Sequence, residues 1–293
     1  MWVLFENLPR NQADLCALVL ASMMVPYRIR KTRGGWDVWV AESHYEAARE
    51  AMALYFEENF QHDPDLGPVP EFAAHRSRIS LAGVVASLLA CLLLAVWYAR
   101  VQHGGADREI LHRFSASAVE ILGGEYYRAV TALMLHRDAA HLAGNMAGLL
   151  VFGMAVGVLA GWGCGWLMIL ASGVAGNLVN AFMYESAHVS IGASTAVFGA
   201  IGLLAGFQGV RVRRATRRFK NAWLPLAGGL ALLGMLGSGD VSVDIMAHLF
   251  GFGCGVVLGA VYGWRFQKPP AEIFQTLCAA AAAGILAWAW WAG

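Results

Sequence analysis

The stretch IGASTAVFGAIG, residues 191–202, decides how the rest of the chain is read. It places a small polar pair, Ser194 and Thr195, at the mouth of an apolar run with glycines at 192, 199 and 202. No alternation of period two is present, and no charge follows before Arg211, which reads as a buried helix, not a half-exposed strand. Taken alone, Ser194 is a helix-packing hydroxyl, because small residues are common where membrane helices touch. Its surroundings change that reading.

The 293 residues are 58% hydrophobic and 14% charged, and the mean hydropathy is +0.53. That composition is too apolar for a water-soluble domain and defines a membrane protein. A net charge of +1 argues against a nucleic-acid partner, since duplex binding needs a face that neutralises many phosphates. Five cysteines, at 16, 91, 164, 254 and 278, are scattered singly without C-x-x-C pairs and read as apolar fillers. The start, MWVLFENLPRNQ, lacks the basic stretch and cleavage site of a signal peptide, so the N-terminus is expected in the cytoplasm.

Residues 1–62 read as a small α/β domain: a strand in WVLFENL, a helix in NQADLCALVLASMM, two strands around Gly34 and Gly35, then a second helix opened by a Ser43-x-x-Glu46 capping box. Residues 63–76 contain several prolines and form a linker. Uncharged stretches suited to crossing a bilayer follow at 79–98, 142–160, 163–183, 194–210, 222–237, 245–263 and 273–292. The fourth and fifth are short, which implies ends inside a protein-lined cavity.

Orientation comes from Arg and Lys. The loop RVRRATRRFK, 211–220, is strongly basic and therefore cytoplasmic, and Arg76, Arg78, Arg265 and Lys268 lie on the same side if the N-terminus does. The outer loops ESAHVS and GSGDVSV hold neither Arg nor Lys. The loop 99–141 dissents with five arginines, among them Arg128, and is expected to fold as structure in the interface. The 211–220 cluster reads as a topology signal and lipid contact, and the tail AWAWWAG as an interfacial anchor.

Under this topology the second, fourth and sixth spans all begin at the outer side. His141 and Asn145 lie one turn apart, Ser194 opens the fourth span, and His248 lies four residues beyond Asp244. An imidazole can take the proton of a serine, and an amide, a second imidazole and a backbone N–H at a helix start can hold the oxyanion that forms. Gly199, Gly202 and Gly206 on one span, and Gly251, Gly255 and Gly259 on the other, allow their backbones to approach, with Phe198 lying under the His248 ring. Asp244 reads as a helix cap too far along to orient His248, so a dyad is favoured over a triad. His136 reads as an interfacial side chain and His188 as a solvated loop residue. No histidine and carboxylate grouping has metal-ligand spacing, so no metal or other cofactor is implied.

GASTAVFGAIG, AHLFGFGCGVVLG and HRDAAHLAGN together resemble the rhomboid family of intramembrane serine proteases. The resemblance covers about residues 76–265 and implies an all-α polytopic membrane protein: a six-helix core over 77–265, an additional seventh transmembrane helix in 266–293, and a small N-terminal α/β cytoplasmic domain. It implies Ser194 as nucleophile, His248 as general base and acid, and His141, Asn145 and the Ser194 amide as oxyanion hole. Gly192 would shape the approach to the serine, and Gly251 would carry the helix contact. Transmembrane proteins would be the substrates, cleaved near the outer face of what is expected to be a bacterial cytoplasmic membrane.

Three positions depart from the family pattern. Thr195 stands where a glycine is usual and is expected to narrow the site and alter specificity. Phe198 replaces a stacking tyrosine, and Tyr127 with Arg128 in GGEYYR replaces a Trp-Arg pair. A catalytically silent rhomboid-like binder of membrane proteins, and a transporter with a helix broken at Gly192, are the competing readings. Both Ser194 and His248 are present, against the first, and there is no internal repeat, against the second. Substrate and oligomeric state stay open.

Overall fold

The computed structural model describes residues 1–59, 80–103, 107–184, 188–216, 227, 228, 230, 231, 234, 244–266 and 268–293. The linker 63–76 and most of the span read at 222–237 lie outside the described residues. The chain divides into two compact units, Met1–Ser77 and Arg78–Gly293.

In the first unit the order is β1 (Trp2–Leu8), α1 (Arg10–Ser22), β2 (Tyr27–Lys31), β3 (Trp36–Val40) and α2 (Tyr45–Asn59). β3 lies between β1 and β2, antiparallel to both. Alternation along β3 turns Val38 and Val40 inward. They join Leu4, Phe5, Leu20, Ala48, Met52 and Phe56 in one hydrophobic cluster, the last three at helical spacing on α2. The β2–β3 hairpin closes through Thr32 N–H to Gly35 O at 2.8 Å, with Gly35 at φ +152°. The expected Ser43 capping box is not formed: a 3₁₀ turn, Glu42–His44, precedes α2, and the Ser43 hydroxyl contacts His44 Nδ1 at 3.0 Å.

The second unit is helical. α3 (Leu81–His103) is followed by a folded segment of α4 (Asp107–Phe114), β4 (Ala116–Ser117), α5 (Ala118–Leu122), α6 (Arg128–Thr131) and a 3₁₀ turn (Ala132–Met134). Then come α7 (Ala139–Gly148), a π turn (Leu149–Gly153), α8 (Met154–Ala160), α9 (Trp162–Tyr184), β5 (Val189–Ser190), α10 (Ser194–Thr216), α11 (Ile245–Arg265) and α12 (Glu272–Ala292). Among the described residues, five helices are long and apolar enough to cross a membrane: Leu81–Gln102, Ala139–Ala160, Trp162–Tyr184, Ile245–Arg265 and Glu272–Ala292.

The helix that carries the fourth span does not end where its uncharged stretch does. α10 runs 23 residues, continuing through Arg211 and Arg213, because backbone hydrogen bonding does not stop at the first charge and arginine stems can lie along an apolar surface. The segment after α3 is folded, as its length and partly apolar content suggested. Ala116, Ala118, Ile121, Ala129 and Ala132 form a buried cluster with Ala181 of α9. Arg128, 5% exposed, donates from Nε to Glu125 at 2.6 Å and from Nη1 to the His112 carbonyl at 2.7 Å. This arginine is a structural clasp, and so carries no topological information. Its hydrogen bond, with that of the Tyr127 hydroxyl, holds the Glu125 carboxyl below its ordinary value.

α10 and α11 meet backbone to backbone. A Cβ on Gly202 would strike the Phe252 carbonyl and stand 2.9 Å from Val256 N, and one on Gly255 would strike the Gly199 carbonyl and stand 3.0 Å from Leu203 N. Glycines alternate across the seam, which is what brings helix axes together without a hydrophobic drive from water.

Candidate active site

The starts of α7, α10 and α11 converge. Asp138 caps α7 by accepting the His141 N–H at 2.8 Å, and this sets the first turn on which His141 stands, with Asn145 one turn below. Gly192 precedes α10 at φ +121°. A Cβ there would lie 2.6 Å from both Cε1 and Nε2 of His141 and 3.5 Å from Asn145 Nδ2. Glycine is required on both counts: the conformation disfavours a side chain, and the space belongs to the imidazole and the amide.

Ser194 begins α10, where the first N–H groups have no acceptor within the helix. Phe198, one turn on, lies 4.5 Å from the His248 ring at a tilt of 30°. Thr195 and Gly251, neighbours of Ser194 and His248 along their helices, touch directly. Ser194, His248, His141 and Asn145 are thus carried by three helices that pack at one end of the bundle. His141 Nδ1, Asn145 Nδ2 and His248 Nδ1 are each buried without a hydrogen-bonding partner among the described residues. Buried polar atoms are nearly always paired, so three such atoms at one end of a bundle need an explanation.

Several side chains are placed differently from the sequence reading. Thr195, expected to narrow the site, is 2% exposed at the junction of α9, α10 and α11, with its Cγ2 facing Gly176 and Gly251. The preceding serine takes the open side, and one residue of helix rotation carries Thr195 into the seam. His188, read as solvated, approaches Asp244 Oδ2 at 2.6 Å and stacks on Tyr184 at 4.3 Å. Asp244 caps α11 through the Ala247 N–H at 3.0 Å and also accepts from Asn180 Nδ2 at 3.0 Å. Its carboxylate is therefore occupied away from His248.

His136 is buried, at 4% exposure. Its Nε2 accepts the Ala193 N–H at 3.4 Å, so its Nδ1 carries the proton shared with the Met134 carbonyl at 3.3 Å. The Gly192 N–H reaches the Ala132 carbonyl at 2.9 Å. Residues 132–136 thereby hold both peptide groups that precede Ser194. His136 was legible only as a histidine five residues before His141. Two of the scattered cysteines meet, with Cys164 and Cys278 sulfurs 2.9 Å apart between α9 and α12.

Fold and site define a polytopic helical membrane protein with serine, histidine and amide side chains gathered where three helices begin. Residues 123–265 match the Rhomboid domain, which places that segment in the rhomboid family. It is 34% identical over 117 residues to "Rhomboid protease GluP" of Bacillus subtilis, covering 40% of this chain and 23% of that protein. It is 28% identical over 211 residues to "Rhomboid-like protease 3" of Toxoplasma gondii, covering 71% of this chain and 77% of that one. "RHOMBOID-like protein 4" of Arabidopsis thaliana is 30% identical over 156 residues, 50% of this chain and 38% of that protein. The chain thus spans about a quarter of the length of the Bacillus protease that it matches.

Proposed function

We propose that the chain is an intramembrane serine endopeptidase that cleaves transmembrane proteins near the outer membrane face with a Ser194–His248 dyad. The observation that carries this reading is the buried Asn145 amide, aimed at Gly192 beside Ser194 with no acceptor among the described residues. An uncommitted donor at that position suits an anion that exists only during reaction.

In this scheme Ser194 Oγ attacks the scissile carbonyl carbon while its proton passes to the His248 imidazole. The carbonyl oxygen becomes an oxyanion that accepts hydrogen bonds from the Ser194 N–H, the Asn145 amide and the His141 imidazole. Collapse breaks the C–N bond, His248 returns the proton to the leaving amine, and an ester to Ser194 remains. Water, deprotonated by His248, then hydrolyses the ester. Phe198 holds the imidazole by ring packing, and the occupied state of Asp244 favours a dyad without a third member. The substrate helix must unwind locally to present its peptide bond.

The accompanying topology has seven spans with the N-terminus in the cytoplasm: a domain over 1–62, a linker at 63–76, the six-helix core at 77–265 and the further helix in 266–293. It is supported by the Arg and Lys distribution and by a bacterial relative, which favours a bacterial cytoplasmic membrane with lipid around α3, α11 and α12. The test is cleavage of a single-span substrate by the purified protein in detergent. Ser194→Ala and His248→Ala should each lower the rate by at least about a thousandfold. Undiminished cleavage in either variant would exclude the dyad, and binding without cleavage by the parent would establish the silent binder instead.

A further inference from the structure

We propose that α12, outside the six-helix core, positions the serine through Trp290, a role that rests on the protease reading. The Trp-rich tail was read as an interfacial anchor, and Trp291, 85% exposed, and Trp288, 51% exposed, suit that use. Trp290 does not. Its ring lies 4.0 Å from Trp97 and 4.4 Å from Phe114, and its Nε1–H points to Met134 Sδ at 3.0 Å.

Met134 is 5% exposed and belongs to the segment that holds the peptides before Ser194. Its carbonyl accepts from His136 Nδ1, and His136 Nε2 accepts from the Ala193 N–H. Two residues earlier, the Ala132 carbonyl takes the Gly192 N–H. The route from α12 to the nucleophile is therefore Trp290, Met134, His136, Ala193, Ser194, each step a direct contact or bond. A shift of Met134 would tilt the first turn of α10, and errors of about 1 Å in a reacting group cost up to about a hundredfold in rate.

The other end of α12 is fixed as firmly. Gln275 is 1% exposed. Its Oε1 accepts the N–H groups of Gly163 and Cys164, both at 2.9 Å, where α9 begins. Its Nε2 donates to the carbonyls of Ala160 at 3.2 Å and Pro270 at 3.1 Å. An amide satisfied in this way in an apolar seam sets both the rotation and the depth of α12, so that Trp290 meets Met134 in one register. α12 is accordingly part of the frame of the site.

The experiment uses the full chain in detergent and measures kcat and KM on a single-span substrate, the rate of Ser194 labelling by a fluorophosphonate, and thermal unfolding. Trp290→Ala and Met134→Ala should each lower kcat and the labelling rate about tenfold with KM unchanged. The double variant should lose no more than either single one, because both break one path. Trp290→Phe, which keeps a ring on Met134, should recover most of the loss, and Trp291→Ala should match the parent. Parental rates in a folded Trp290→Ala, or fully multiplicative losses in the double variant, would overturn the proposal. Should the alanine variants fail to fold, Trp290→Leu, Met134→Leu and their combination decide it by the same comparison, with Trp290→Phe as the near-parental control. A parent that neither labels nor cleaves defeats the protease reading itself, whereas an active parent with indifferent variants defeats only the positioning role.

Discussion

The Thr195 side chain fills the notch left by Gly251: a Cβ on that glycine would strike the Thr195 carbonyl and stand 2.9 Å from its Cγ2. Ser194 and Thr195 are adjacent in sequence and opposite in use. One is left partly exposed at the start of α10, and the other welds α10 to α11 and α9. Thr195→Gly should therefore lower stability by about 2 kcal/mol, from a lost buried side chain and a glycine in a helix. Thermal unfolding in detergent checks it. Cleavage of a panel of substrates should keep the parental order of preference, since Thr195 is buried in the seam.

Gly192→Ala should remove activity while leaving most of the fold. A Cβ at φ +121° would strain the backbone and displace the His141 ring, which stands 2.6 Å from that position. If His141 and Asn145 serve the oxyanion, displacing them costs about a hundredfold or more in kcat. The measurement is kcat alongside thermal unfolding. Labelling at the parental rate would show that the ring had not been needed there.

Asn145→Ala isolates one donor. The amide has no acceptor among the described residues, so its removal breaks no bond there, and unfolding should shift little. If it serves the oxyanion, kcat falls about a hundredfold with KM nearly constant. An equal rise in KM with kcat preserved would instead make Asn145 a ground-state contact.

The reach of the sequence follows from the range of the interactions. Val38 and Val40 could be placed inward by period two, and His141 and Asn145 on one face by the helical turn, because both are local regularities. The direction of Thr195 was not legible: successive helix residues point about 100° apart, and only the glycines of α9 and α11 decide which of them enters the seam. His136, His188 and Gln275 depend on partners far along the chain; Gln275 bonds Gly163, 112 positions away. No spacing rule announces such a pair. The end of α10 was missed for a different reason, since hydropathy reports where charge begins and not where helical hydrogen bonding ends.

Arg128→Lys should behave as a loss and not as a conservative change. The guanidinium serves Glu125 from Nε and the His112 carbonyl from Nη1 at once, a fork that a single ammonium cannot reproduce. Leaving the His112 carbonyl without its donor costs about 2 kcal/mol. The loss should be seen as faster proteolysis between α3 and α7, with Arg128→Ala at least as severe.

Acid should loosen the start of α11 through Asp244. Burial pushes this carboxyl up, but the hydrogen bonds from the Ala247 N–H and from His188, with the charge of His188, outweigh it and hold the group below 3.8. A folded-state value below the unfolded one means that its stabilisation is fully present above the unfolded value and is lost as pH falls through the folded one. The unfolding midpoint should thus owe nothing to this group's titration between about pH 7 and pH 5, and should fall below about pH 4. Asp244→Asn can still accept the Ala247 N–H but carries no charge toward His188. Its midpoint should lie below the parent's at neutral pH, and the gap should close as the parent is acidified. A gap that stays constant down to the acid limit would mean that the Asp244 charge contributes nothing to holding β5 and α11 together ahead of His248.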